Sequence, residues 1–435
     1  MNQSSVETLE TLEKVLKLAS ADAVVASLSG DTSAATRIAD NVITQNVRCS
    51  RASLYVECAY GQSHGGAATD DLSDDALVQA VKRAQAIAKV SPPDPEYMPP
   101  VEAAEMEKYR QVKGYFEATA GISPLDKAQA LAAAARKVEA RGMRLSGGYP
   151  SAVTFRAVAN SAGLRAYHTA TEANFHATVL GANGSGWAEA VSNDVAAIDV
   201  AATAEKALSV AAAAQNSQPL DAGKYDVVLQ PAAAGELLLM VLWAGFDAKA
   251  TDEKRTFLRG RLGTQVFGDN ITVRSNPAEA ACPGGPFQDD GLASRALPWI
   301  EKGVVRNLCY SRYWAKKQGK EPTGWPVNLL MEGGATPVEQ MIASIKRGLL
   351  ITRFWYIRFV DPMVPSLTGM TRDGLFLIED GKVTKALQHM RFNENMVDVL
   401  NRVEMLGTVT RTGEWPMLVP ALKVRAFNFT STTKF

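Results

Sequence analysis

Leu237 to Trp243 is a run of seven apolar residues without a break, and it follows the strand-like KYDVVLQ and a proline at position 231. Proline is favoured in the first turn of a helix, so the segment from Gln230 onward is read as strand, turn and helix. A helix apolar on every side must be buried. The chain must therefore build a substantial core around this segment. It has the material: 435 residues, 46% of them apolar and 21% charged. At about 150 residues per domain, that length predicts two or three domains.

The punctuation of the chain supports a mixed α+β fold. Residues 1 to 20 have helical amphipathicity. ADAVVASLSGDTSAATRIADNVITQNVR reads as two strands around a Gly30-Asp31 turn, and ASLYVECAYGQSHGGAATDD as a hairpin turning in its glycine-rich middle. Ser73 is placed to cap the helix DDALVQAVKRAQAIAKV, which Pro92 and Pro93 end. Ser123 and Pro124 open a second alanine-rich helix. Asn160 to Gly163 is a turn inside a predicted β-meander, and DVAAIDVAATAEKALSVAAAAQ is a third alanine-rich helix. Pro219 and Gly223 mark a boundary, giving domains 1–218 and 219–435. In the second half, Lys302-Gly303 and Asp380-Gly381 sit between apolar alternating runs and predict hairpins. SIKRGLLITRFWYIRFV reads as a long strand-rich run, and NLCYSRYW as strand-like. Helices on a curved, mostly antiparallel sheet are expected first, then a β-rich barrel- or sandwich-like domain with the apolar helix against it.

Several chemistries lack support in the sequence. Lys+Arg and Asp+Glu both total 46, so no whole-protein basic field exists for nucleic acid. There is no phosphate-cradling G-x-x-x-x-G-K-[ST] or G-x-G-x-x-G after a strand, and no G-x-S-x-G elbow. The N-terminus lacks the basic start and apolar core of a signal peptide, and no run approaches the ~20 apolar residues of a membrane span. Cys49, Cys58, Cys282 and Cys309 form no C-x-x-C and read as reduced thiols of a cytoplasmic protein. His168 and His176 share a strand face but lie roughly 26 Å apart along it, too far for one metal. His64 and His389 have no second histidine nearby. Asp247, Asp252 and Glu253, or Asp289 and Asp290, offer oxygen ligands, although acidic loop residues are usually just solvated. Guanidinium groups suit carboxylate and peptide recognition. The candidates for peptide binding are Arg255, Arg347, Arg353 and Arg372.

The second half resembles the TldD/PmbA family, named as modulators of DNA gyrase and as peptide-maturation metalloproteases. The resemblance rests on TFLRGRLGTQVFGDNITV, on QDDGLASRALPWIEKGVVRNLCYSRYWAKKQG, on IKRGLLITRFWY and above all on TGMTRDGLFLIEDGKVTKALQHMRFNENM. TRIADNVITQNVR, ATDDLSDDALVQAVKRA and VANSAGLRAYHT extend it through the first half. The family implies an H-E-x-x-x-H motif on the helix after the equivalent of KYDVVLQ. Two histidines there bind a metal, zinc, the glutamate acts as general base on metal-bound water, and a cysteine near the C-terminus adds a ligand. Aligned from VVLQP, the motif positions are Leu239, Met240 and Ala244, and the cysteine's place lies near Gly407 to Gly413.

The resemblance therefore implies the TldE/PmbA-like branch that lacks the motif: no catalytic residue, metal or other cofactor in this chain, and zinc only in a motif-bearing partner. A homodimer or a heterodimer with a TldD-like subunit is expected, with an extended peptide as substrate. An active metallopeptidase with a different metal site on Asp247, Asp252 or Glu253 is the alternative, followed by a gyrase-modulating binding protein.

Overall fold

The computed structural model describes residues 4–413 and 415–433, and the chain forms two β-sheets drawn from separate stretches of sequence. The first is a fully antiparallel sheet in the order β3-β2-β1-β4-β5-β6. Its strands are β1 (Ala23–Ala39), β2 (Val42–Tyr60), β3 (Ser63–Thr69), β4 (Arg144–Asn160), β5 (Arg165–Leu180) and β6 (Ser185–Ser192).

Strand alternation decides which face is covered. Val24, Ala26, Leu28 and Ile38 of β1, Leu145 and Ala157 of β4, and Phe175 and Val179 of β5 are buried on one face. Helices Ser5–Leu18 and Asp74–Val90 cover one end of that face, and Pro124–Glu139 and Val200–Ala213 the other. Full burial of each larger apolar side chain stabilises by about 1.5–3 kcal/mol. Ser123 and Asp126 form the capping box that starts the Pro124–Glu139 helix. The opposite face, where the 3-10 helix Ala103–Lys108 packs near Val25 and Val158, carries Glu172 and Glu189 and looks toward the second sheet.

The expected turn at Gly30-Asp31 is absent. Both residues lie inside β1, and the chain reverses at Asp40-Asn41, with φ of 48° and 66°. Gly30 answers a packing need: a Cβ there would lie 2.5 Å from the Arg51 carbonyl oxygen and 2.6 Å from the Phe155 ring. Ser73 does sit at the N-cap of its helix, but its hydroxyl makes no capping bond; its N–H donates to Asp71 Oδ1 at 2.9 Å.

The second sheet contains β7 (Gly223–Leu229), β8 (Val273–Ser275), β9 (Leu297–Glu301), β10 (Val304–Val305), β11 (Leu329–Met331), β12 (Arg347–Asp361), β13 (Ser366–Glu379), β14 (Lys382–Ala386), β15 (Met390–Asn395), β16 (Val403–Thr412) and β17 (Met417–Thr432). It closes on itself. β7 pairs in parallel with β12 and antiparallel with β17, completing a ring through β13 and β15. Phe354, Phe392 and Phe427 meet inside that ring, with centroids 4.7 to 5.8 Å apart. The predicted hairpins form at Lys302-Gly303 and Asp380-Gly381, where all four residues have positive φ. NLCYSRYW is not a strand. Ser311 caps a helix, Arg312–Gln318, and Cys309 makes only a bridge to Asp247.

The apolar segment is the helix Pro231–Gly245, packed against β7, β12, β16 and β17. Its burial is one-sided. Leu237, Leu238, Val241 and Leu242 are at most 4% exposed, whereas Trp243 is 54% exposed. Ala232, Glu236, Leu239 and Met240 are only partly buried and follow the same helical stripe as Trp243. Among the described residues, no helix is long and apolar enough to cross a membrane.

Candidate functional site

The partly open stripe of the Pro231–Gly245 helix runs beside the junction of the two sheets. The side chains of Leu239 and Met240 pack against the barrel core, and Ala244 is buried within it. The place expected for a C-terminal ligand is also beside this helix, at the end of β16. A Cβ on Gly235 would come within 3.2 Å of the Thr412 methyl group, so the helix and strand approach closely there. The side chains brought together are hydrocarbon, the Met240 and Met417 thioethers and Thr412.

Glu236 was missed by the sequence reading, which counted the apolar run from Leu237. It is the single charged side chain in the segment Pro231–Gly245. Burial raises its pKa to about 7, opposed by Arg353 and reinforced by Glu189. Its isolation within an apolar helix was the available signal.

Around Glu236 the two sheets are tied by polar contacts. Glu189 of β6 accepts from the Gly413 N–H at 2.8 Å and from the Thr412 hydroxyl. Arg411 bonds Asn193 and lies 3.3 Å from Glu172. Arg353 grips Asp373, its Nε at 2.9 Å, and lies over the Trp187 ring at 4.6 Å. Asp373 also accepts from Ser185 at 2.7 Å, joining β13 to the edge strand of the first sheet.

Of the four candidate arginines, Arg353 and Arg372 share one cleft. Arg372 lies 3.7 Å from Asp373 and over the Trp355 ring at 4.2 Å. Arg255 pairs with Glu253 on an exposed loop, and Arg347 is exposed at the start of β12. The candidate oxygen ligands do not converge. Asp247 caps the helix Ala248–Asp252, Asp252 accepts from Trp314 Nε1 at 2.6 Å, and Asp289 and Asp290 face Arg156 and Arg312. No set of three or more His, Cys, Asp or Glu side chains arranged to hold a metal occurs among the described residues.

Of the four thiols, Cys58, Cys282 and Cys309 are buried and Cys49 is exposed. Desolvation raises Cys58 and Cys282 to about 11 and lifts Cys309 well above the ordinary thiol value. Burial lowers His168 to about 4, with Arg156 adding to the effect. His64 lies between Asp94, at 3.1 Å, and Glu57, at 3.5 Å.

Comparison with known proteins gives this arrangement a context. Residues 222–431 match the PmbA/TldA metallopeptidase C-terminal domain, and residues 100–215 match the central domain. A metalloprotease PmbA homologue of Haemophilus influenzae is 24% identical over 412 residues, covering 88% of this chain and 86% of that protein. An uncharacterised Methanocaldococcus jannaschii protein is 31% identical over 127 residues, but the match spans 29% of this chain and only 30% of that relative. The fold matches the crystal structure of TldE from Thermococcus kodakarensis, with a TM-score of 0.88 at 20% identity and coverage of 98% and 100% of the two chains.

Proposed function

The chain belongs to the PmbA/TldA metallopeptidase family, and from that premise we propose that it is a subunit without a metal centre of its own, which holds an extended peptide for a motif-bearing partner. The observation that carries this reading is the donor set at the helix. Zinc needs nitrogen, sulfur or oxygen lone pairs in tetrahedral array. Leu239 and Ala244 offer none, and the Met240 thioether is a soft ligand suited to copper(I) rather than to hydrolytic zinc. Glu236 is a single carboxylate, sits three residues before the first motif position, and cannot complete a site alone. The residues present do not fit the family's metal.

Peptide holding has separate support. β6 and β16 are each paired with one neighbour in their sheets, and Trp187, Glu189, Thr410 and Thr412 from these strands line one cleft of about 210 Å³. An extended segment can add to such an edge through main-chain hydrogen bonds. The partner is a TldD-like subunit or a second copy, and four free cysteines suit the cytoplasm.

The test is reconstitution. The chain is co-expressed with a homologue from the same genome that keeps H-E-x-x-x-H, and peptide cleavage is followed with each alone and with both. Cleavage that needs both chains is expected. Stoichiometric zinc and chelator-sensitive cleavage by this chain alone would favour a peptidase with a different site.

A further inference from the structure

The cleft that Arg353 and Arg372 share has a volume of about 870 Å³, within the range of sites for small ligands and short peptide segments. One wall is the turn from β5 into β6, and the other is the β12–β13 pair where its ladder lapses. Tyr356 and Asp373 hold φ of 56° and 52° there, and Gly374 holds 119°. Such backbone persists only where the surroundings over-determine it, and it clusters at ligand sites.

The charge in the cleft is one-sided. Arg144, Arg353, Arg372 and Arg391 line it, against a single carboxylate, Asp373. That carboxylate is already engaged by Arg353 and Ser185. Arg144 is held by Asp40 at 3.1 Å. Arg372 and Arg391 are less committed among the described residues. Arg372 stacks on Trp355 with Asp373 at 3.7 Å, and Arg391 faces the Met370 sulfur at 3.8 Å. This surplus occurs in a chain of net charge zero.

We propose that this cleft binds a carboxylate carried by an extended peptide, held by Arg372 and Arg391, with a neighbouring apolar side chain against the wall at Leu387. The inference rests on the peptide-holding reading above and gives it a substrate class. Stacking fixes the Arg372 plane, and a planar guanidinium matches a carboxylate with two parallel hydrogen bonds. Nucleic acid fits less well. A strand of phosphates needs a continuing basic track and free aromatic faces. Here guanidiniums already lie over both rim rings, Arg372 over Trp355 and Arg358 over Tyr356.

The test is fluorescence anisotropy with the full chain and labelled peptides of one apolar–aromatic sequence. One is capped at both ends with an internal Glu, one carries Gln with a free C-terminal carboxylate, and one is capped, carries Gln and is neutral. At least one acidic peptide is expected to bind about tenfold or more tightly than the neutral one. Arg372→Gln and, separately, Arg391→Gln are expected to remove most of that preference, while Arg306→Gln leaves it intact. Which acidic peptide wins identifies a side-chain or a terminal carboxylate. Equal binding of all three, unchanged in both cleft variants, would overturn the carboxylate site while leaving peptide holding intact. If no peptide binds, both readings fail. Tighter, steeply salt-dependent binding of a single-stranded oligonucleotide that Arg372→Gln abolishes would overturn the assignment in favour of nucleic acid.

Discussion

The Pro231–Gly245 helix and the β12–β13 hairpin lie in the same half of the chain and pack on the same barrel, yet their chemistry differs sharply. The helix has regular backbone, one charged residue, and hydrocarbon at Leu239 and Ala244. The hairpin has bulged backbone, positive φ at Tyr356 and Asp373, and guanidiniums stacked on aromatic rings. The helix serves packing, while backbone strain and charge are concentrated in the hairpin. Under the proposed function, the chain would bind peptide and a partner would cleave it.

The contrast breaks first if the helix is not core. Leu238→Ala empties a site 4% exposed against the barrel and should cost about 3 kcal/mol in denaturant unfolding. A loss under about 1 kcal/mol would mean that the helix is not packed as described. The hairpin comes next. Asp373→Asn keeps a residue tolerant of positive φ but leaves the Arg353 guanidinium without its anion. It should cost about 2–3 kcal/mol and loosen the tie to Ser185. Thermal unfolding checks this, and Ser185→Ala should cost less.

The polar exception on the helix sharpens the comparison through pH. Burial holds Glu236 at about 7, above its ordinary value, so the folded state keeps a proton that the unfolded chain releases earlier. Stability from this group is therefore complete below the ordinary carboxylate range and is lost as pH rises through about 7. Glu236→Gln should flatten that slope and stabilise by roughly 2 kcal/mol at pH 8. Urea midpoints at pH 4.5 and pH 8 measure it. The smallest effect belongs to Trp243. Being 54% exposed, its replacement by Ala should change the stability of the isolated chain by less than about 0.5 kcal/mol. If the open stripe is covered by a partner, analytical ultracentrifugation of the mixed chains should show weaker association instead.

The sequence reveals local signals more readily than closure. Asp380-Gly381 and Lys302-Gly303 are legible because two adjacent residues with positive φ demand such dipeptides. Ser123-Pro124 is legible because capping chemistry is local. Gly30-Asp31 misleads because the same glycine that permits a turn also permits the Phe155 ring to approach β1. The ring closure by β7 and β17 joins segments about two hundred residues apart, and no local pattern encodes it. At the site, the apolar character of Leu239, Met240 and Ala244 can be read directly from the sequence. The meeting of Arg353, Asp373, Ser185 and Trp187 cannot, because it depends on how two sheets face each other.

The most direct test is the zinc content of the purified chain after equilibration with zinc and removal of free metal, measured by mass spectrometry. Far less than one equivalent is expected, unchanged by Glu236→Gln. Stoichiometric zinc that Glu236→Gln releases would place a metal on the Pro231–Gly245 helix and contradict the proposed function.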